Sequence, residues 1–275
     1  MSLVPNALTA IKAAERRKLP VPADVLEAAA VRGAIFETVQ RPAPERPPLP
    51  GTAAEVEEVI REHAAQLNLL DLTQRAASRF QEEADLRFVR LTAAAVPGWI
   101  EGLQKEFTTL VGVVRKAADK LPADTMLVDS ARLDWNNSVH ATAYNKAEGA
   151  VAQLEQLISD RADMVKVAGG DGGRDNALFA VAGLPAPTVD RVMSGDWRQL
   201  SESIAQWRDL RHKPVARWVY LVRQDELTLT LATPGEVRQR SIQVERWRNA
   251  GHASRSGMNA AGGQAAAQQY LAETA

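Results

Sequence analysis

No cysteine occurs in the chain. Disulfides, thiolate nucleophiles, iron–sulfur clusters and cysteine-based zinc sites are thereby excluded, and a reducing compartment suits the composition. Aromatic residues are scarce at 5%. Neither sign of charge prevails, with 33 Lys and Arg against 34 Asp and Glu. That balance argues against nucleic acid or an anionic membrane surface as the main partner. No stretch approaches the roughly 18 uninterrupted apolar residues of a membrane-spanning helix. The first 19 residues contain no continuous apolar run of the kind found in secretory signals, so a soluble protein of the cell interior is expected.

What remains is a chain of 275 residues, 45% of them apolar and many of them alanine. Alanine loses no side-chain entropy in a helix, and the length suffices for one core or two small ones. The expected fold is mainly α: a long antiparallel helical bundle or hairpin, an N-terminal helical arm, and a smaller C-terminal part that is helical with one β-hairpin.

Six segments follow from the chain's punctuation. Residues 1–40 form the arm, with a helix capped by Asn6 and a second entered through Pro22 and Asp24. Val25, Ala29, Val31, Ile35 and Phe36 give this second helix one apolar stripe. The arm is expected to pack on a neighbouring molecule. Residues 41–51, with five prolines, form an extended spacer. Residues 52–168 form the bundle. Thr52 and Glu55 match a capping box. Val56, Ile60, His63, Leu67 and Leu70 then begin a helical stripe that Phe80, Ala84, Phe88, Leu91 and Ala95 continue. Pro97 should break or kink it. Ile100, Leu103, Phe107, Leu110, Val114 and Ala117 form a coiled-coil-type seam, ended by Pro122. A further helix is expected from about Ser130 to Val167, its stripe of Val151, Leu154, Ile158 and Val165 interrupted by Arg161.

Residues 169–174 read as a glycine-rich linker, and 175–250 as the small C-terminal domain. Short helices are expected at about 175–182, 187–193 and 199–211. Residues 215–222 and 226–232 suit a β-hairpin, since Leu227, Leu229 and Leu231 alternate with threonine. Val215, Trp218, Val219 and Val222 suit a helix equally well. Thr233 and Glu236 open another capped helix. The Ala-, Gly- and Gln-rich tail, 251–275, cannot build a core by itself.

Motifs that carry chemistry are few. Gly169–Gly173 has no following Lys-Ser or Lys-Thr, so it is no Walker loop. Asp171 and Asp175 lack the other oxygen ligands of a calcium site. His63, His140, His212 and His252 are scattered without metal-ligand spacing, and no serine stands in a nucleophile elbow. No catalytic residue, cofactor or metal is expected. The segment 182–193 resembles a helix-turn-helix, and Arg238, Arg240, Arg246 and Arg248 with Trp247 make a basic helix over 236–249. A DNA-associated factor is therefore the second reading, and an enzyme of unrecognised type the third. Four of the six tryptophans, Trp197, Trp207, Trp218 and Trp247, fall after the glycines. They either build a core or, with Ile35 and Phe36, anchor a partner.

In organisation the chain resembles the Ala- and Arg-rich proteins encoded in the structural modules of actinobacterial tailed phages. The shared features are the missing cysteine, the arm, the proline-rich spacer, the long helical body and the Ala/Gln tail. The resemblance implies a non-enzymatic virion subunit, connector or assembly factor, located in the virion or in the host cytoplasm during assembly. Its partners would be further copies of itself and other phage structural proteins, with no specific nucleic acid and no membrane. Trp99-Ile-Glu-Gly102 and Tyr144-x-x-x-Glu148 partly resemble signatures of the small helical substrates of actinobacterial type VII secretion. They depart from that pattern: the first is one residue too long, and the second lies inside a helix.

Overall fold

The chain is organised around one helix, α3, which runs from Ala53 to Ala118, 66 residues and about 100 Å at the α-helical rise. A computed structural model describes residues 3–172 and 176–273, and helices dominate it. Glu55 fixes the start of α3 by accepting hydrogen bonds from the Gly51 and Thr52 N–H groups. Of the two expected outcomes at Pro97, a break does not occur: helix continues on both sides of it. The tertiary environment there outweighs the missing N–H. Phe88, Val96, Trp99, Ile100, Leu103 and Phe107 around it are all buried.

Two helices precede α3 and both lie on it. In α1 (Val4–Arg16) the buried face is Val4, Ala7, Ala10, Ala13 and Ala14. These small side chains let α1 approach α3 and α4 (Ser138–Val165) closely. Helix α1 ends in a Schellman turn: Lys18 is left-handed at φ 55°, and the Leu19 N–H returns to the Ala14 carbonyl. The turn docks on α3. Trp99 Nε1 donates to the Pro20 carbonyl at 2.9 Å, and a Cβ on Gly102 would overlap the Leu19 side chain. Arg16 and Arg17 both reach Asp160 of α4. The expectation that the arm packs away from its own body is therefore corrected: its alanine face and paired arginines bind it in cis.

Helix α2 (Ala23–Val39) pairs with α3 in antiparallel sense, with Arg32 Nε 2.6 Å from Asp85. After α3, a loop with a 3-10 turn at Thr125–Leu127 leads to α4, which Asn137 caps by accepting from the Val139 and His140 N–H groups. Residues 130–137 are thus loop, and the helix starts later than the sequence suggested. As expected, Ile100, Leu103, Phe107, Leu110 and Val114 are buried and α4 packs beside them, with Val151 and Leu154 buried and Ile158 partly so.

At the glycines the chain turns, with Gly169 at φ 91°. Helices α5 (Asn176–Phe179), α6 (Val189–Ser194), α7 (Trp197–Asp209), α8 (Pro214–Val222), α9 (Pro234–Ser256) and α10 (Ala260–Glu273) follow. The buried cluster is continuous from α1 to α10. Residues 215–222 are helical, so the 215–232 hairpin is not formed. Instead β2 (Thr228–Leu229) pairs antiparallel with β1 (Ala182–Gly183), Ala182 opposite Leu229. Helix wins at 215–222 because Val215, Trp218, Val219 and Val222 line one side of α8, against α3 and α4. The C-terminal residues also depart from the tail reading. Helix α10 folds back on α9, burying Ala267. The glycines make this approach possible, since a Cβ on Gly263 would overlap the Ser254 carbonyl. Among the described residues no helix is long and apolar enough to cross a membrane.

Candidate interaction surface

The proline-rich segment has a definite path. The Arg41 carbonyl accepts from Gln74 Nε2 at 2.7 Å, and ten residues later Gly51 N–H donates to Glu55. From Gln74 back to Glu55 the helix rises about 29 Å. Ten residues of polyproline-type chain extend about 31 Å. The two lengths match, so the segment is a strap that runs back along α3 to the helix's first turn. Pro47, Pro48 and Leu49 lie beside Val59 and His63.

The first part of α3 therefore has only this thin strap for cover, which shows in a regular series along the helix. Val56, Ile60, His63, Leu67, Leu70, Gln74, Ala77, Gln81, Ala84 and Phe88 are spaced alternately four and three residues apart. Burial rises along that series. Val56, Ile60 and Leu67 are exposed; His63 and Leu70 to Gln81 are partly covered; Ala84 and Phe88 are buried. The expectation that His63 lies on a buried stripe is thus only partly met. Spacing does not bury a residue; a neighbouring element must, and α2 reaches α3 only near its middle.

A second face of the same segment is open to solvent along its length, with Glu62 at its edge beside the strap. Glu58, Glu62, Ala65, Leu69, Leu72, Ala76, Arg79, Phe80 and Glu83 fall on one side of a 3.6-residue helix and are all exposed. Leu69 is 68% and Phe80 59% accessible. Glu58, Glu62, Arg79, Glu82 and Glu83 have no ion-pair partner within the described residues, whereas Arg61 and Arg75 pair with Glu57 and Asp71 along the helix. A run of exposed leucine and phenylalanine ringed by unpaired charge has the composition of a docking face.

The residues singled out as partner anchors fall in different places. Trp207, Trp218 and Trp247 are buried and cannot anchor a partner in the folded chain. Trp218 donates to Glu155 at 2.6 Å and meets Phe107 and Trp207 edge-on. Trp247 donates to the Pro185 carbonyl and stacks with the partly buried Trp197. Trp218 and Trp247 can be core because their N–H groups find partners inside. Ile35 is partly buried and Phe36 is 46% exposed on α2.

The helix-turn-helix resemblance is corrected as well: Ala182 and Gly183 are strand, and α6 has only six residues. Arg240 is drawn inward from the basic helix, donating to the Phe179 and Thr230 carbonyls. Arg238 and Arg248 remain exposed.

Sequence reasoning missed the buried charges. Arg161 does not interrupt the α4 stripe; it is buried and holds Asp171 at 2.7 and 2.9 Å and the Ala232 carbonyl at 2.8 Å through Nε. Asp175 lies outside the described residues. Burial alone would push the Asp160 carboxyl up; the hydrogen bonds from Arg16 and Arg17 outweigh this and hold it below the ordinary carboxylate value. Arg223 donates to the Ala118, Leu121 and Ala123 carbonyls and so closes the C-terminus of α3. The only sequence signal for Arg161 was a charge at an apolar stripe position.

An open groove between the end of α3 and the start of α4 is lined by Val113, Val139 and Lys116, Lys120 and Lys146. No histidine lines it, and its one carboxylate is Asp119. Among the described residues no group of three His, Asp or Glu side chains is placed to hold a metal. The chain matches no family model, no curated protein and no solved structure.

Proposed function

We propose that this chain is a non-enzymatic structural or assembly protein that works through helix–helix contacts made by the first half of α3. In the phage setting that its organisation resembles, it serves as a virion subunit, connector or assembly factor. One observation carries this reading: leucine and phenylalanine recur at helical spacing over Leu69–Phe80 and remain exposed. The DNA-associated alternative has lost its recognition motif, and the basic helix has lost Arg240 to the interior.

The test compares the full-length protein with a Leu69→Ser/Leu72→Ser/Phe80→Ser variant. Each is mixed with the structural proteins of the particle, and the mass of the complexes is measured. The expected result is loss of association by the variant at unchanged helicity. Equal association by both proteins would overturn the proposal.

A further inference from the structure

We propose that the exposed face of α3 pairs with the same face of a second copy, antiparallel, about a two-fold axis between Leu70 and Asp71. This rests on the reading of α3 as an interaction helix and names its partner. The charges and side-chain sizes of the face select this arrangement. Helices that pack along a 3–4 seam set each seam residue of one against a seam residue of the other. Here the seam residues are Glu58, Glu62, Ala65, Leu69, Leu72, Ala76, Arg79 and Glu83, all exposed.

With the axis between Leu70 and Asp71, Leu69 meets Leu72 of the second copy, Ala65 meets Ala76, and Glu62 meets Arg79. Each contact occurs twice by symmetry. Alongside the seam, Arg61 stands near Glu82 of the second copy. Matched leucines fill the centre, matched alanines let the backbones approach, and opposite charges close each end. The pairing stops where Glu58 would face Glu83, before Ala84 and Phe88 enter the body. Sliding one heptad in either direction sets Leu72 against Glu62 or Leu69 against Arg79, which takes a charge out of water without a mate. A parallel, in-register pair sets Glu62 on Glu62 and Arg79 on Arg79, a repulsive arrangement. The face turns away from α2, since the partly or fully covered positions of the same turns are Ala77, Gln81 and Ala84.

The absence of native cysteine makes the test clean. Ala65→Cys and Ala76→Cys are introduced singly into the full chain, and the two proteins are treated with a short thiol-to-thiol cross-linker, alone and as an equal mixture. The expected result is a covalent dimer in the mixture and little in either protein alone. A dimer from each variant alone would show parallel pairing, and no dimer in any sample would show that these faces do not meet; either overturns the inference. Charge reversal gives a second readout. Glu62→Arg and Arg79→Glu should each weaken dimerisation by about tenfold or more, and mixing the two should restore it. Weakening by neither variant overturns the inference. A cross-linking failure accompanied by Leu69-, Leu72- and Phe80-dependent binding to another protein leaves the interaction-helix reading standing. Insensitivity of all binding to those three residues removes both.

Discussion

Beyond Ala84, α3 buries Phe88, Thr92, Val96, Trp99, Leu103, Phe107, Leu110, Val114 and Ala117 at steps of three and four. Before it, Val56, Ile60 and Leu67 continue that stripe and remain in solvent, and Leu69, Leu72 and Phe80 lie exposed on another face of the same helix. The two halves differ in their neighbours. The second half has α1, α2, α4 and α8 around it, and the first half has the end of α2 and a strap. Periodicity shows which face of a helix is apolar; it does not show whether that face is covered by the same chain or by another molecule.

Changes in the second half should cost the most. Phe107→Ala removes a fully buried ring that packs edge-on against Trp218, and should destabilise by about 3–5 kcal/mol. Denaturant melts should give the same loss at low and high protein concentration. Concentration dependence would mean that this half, too, is assembled between chains.

Arg161→Met follows. It leaves the Ala232 carbonyl without its donor and removes the bidentate Arg161–Asp171 ion pair, and should cost about 3 kcal/mol in the same melts. A neutral result would show that the guanidinium contributes no net stability.

Asp160→Asn comes next, at about 1–2 kcal/mol near neutral pH. Its carboxylate is only 3% exposed, but Arg16 is 49% exposed and partly screened by water. The sign in pH follows from the direction of the shift. The folded-state pKa is lowered, so the contribution is complete above the unfolded value of about 4 and fades as pH falls through the folded one. Wild type and variant should therefore converge in stability on acidification; a constant gap between pH 7 and pH 3 would contradict the ion-pair account.

The smallest effect belongs to the first half. Leu69→Ser/Leu72→Ser should change the stability of the isolated chain by about 0.5 kcal/mol per site or less, as at other exposed positions. A loss of several kcal/mol would place these leucines in a core.

The helices were the legible part of the sequence. Thr52 with Glu55 marked the start of α3, and Thr233 with Glu236 that of α9. The 100–114 seam and its α4 counterpart were readable because steps of three and four leave one arrangement open to them. Positions that depend on long-range partners were not readable. Trp99 and Gly102 serve the docking of Pro20 and Leu19, about 80 residues earlier in the chain. Local pattern also left residues 215–222 undecided, since an apolar run fits strand and helix alike until α3 and α4 supply the surface it packs on. The docking face was not legible: the stripe read from the sequence ran through Val56, Ile60, His63, Leu67 and Leu70, whereas Leu69 and Leu72 lie on another side of the helix, whose exposure shows only once the neighbours of α3 are placed.

Sedimentation of the full-length protein over a wide concentration range, beside the Leu69→Ser/Leu72→Ser/Phe80→Ser variant, tests most directly whether the first half of α3 pairs with a second copy. The account predicts that the wild-type mass rises with concentration above the 29.9 kDa of one chain, while the variant keeps its helicity and stays at that mass. A wild type that remains at 29.9 kDa throughout, or a variant that associates as the wild type does, would contradict it.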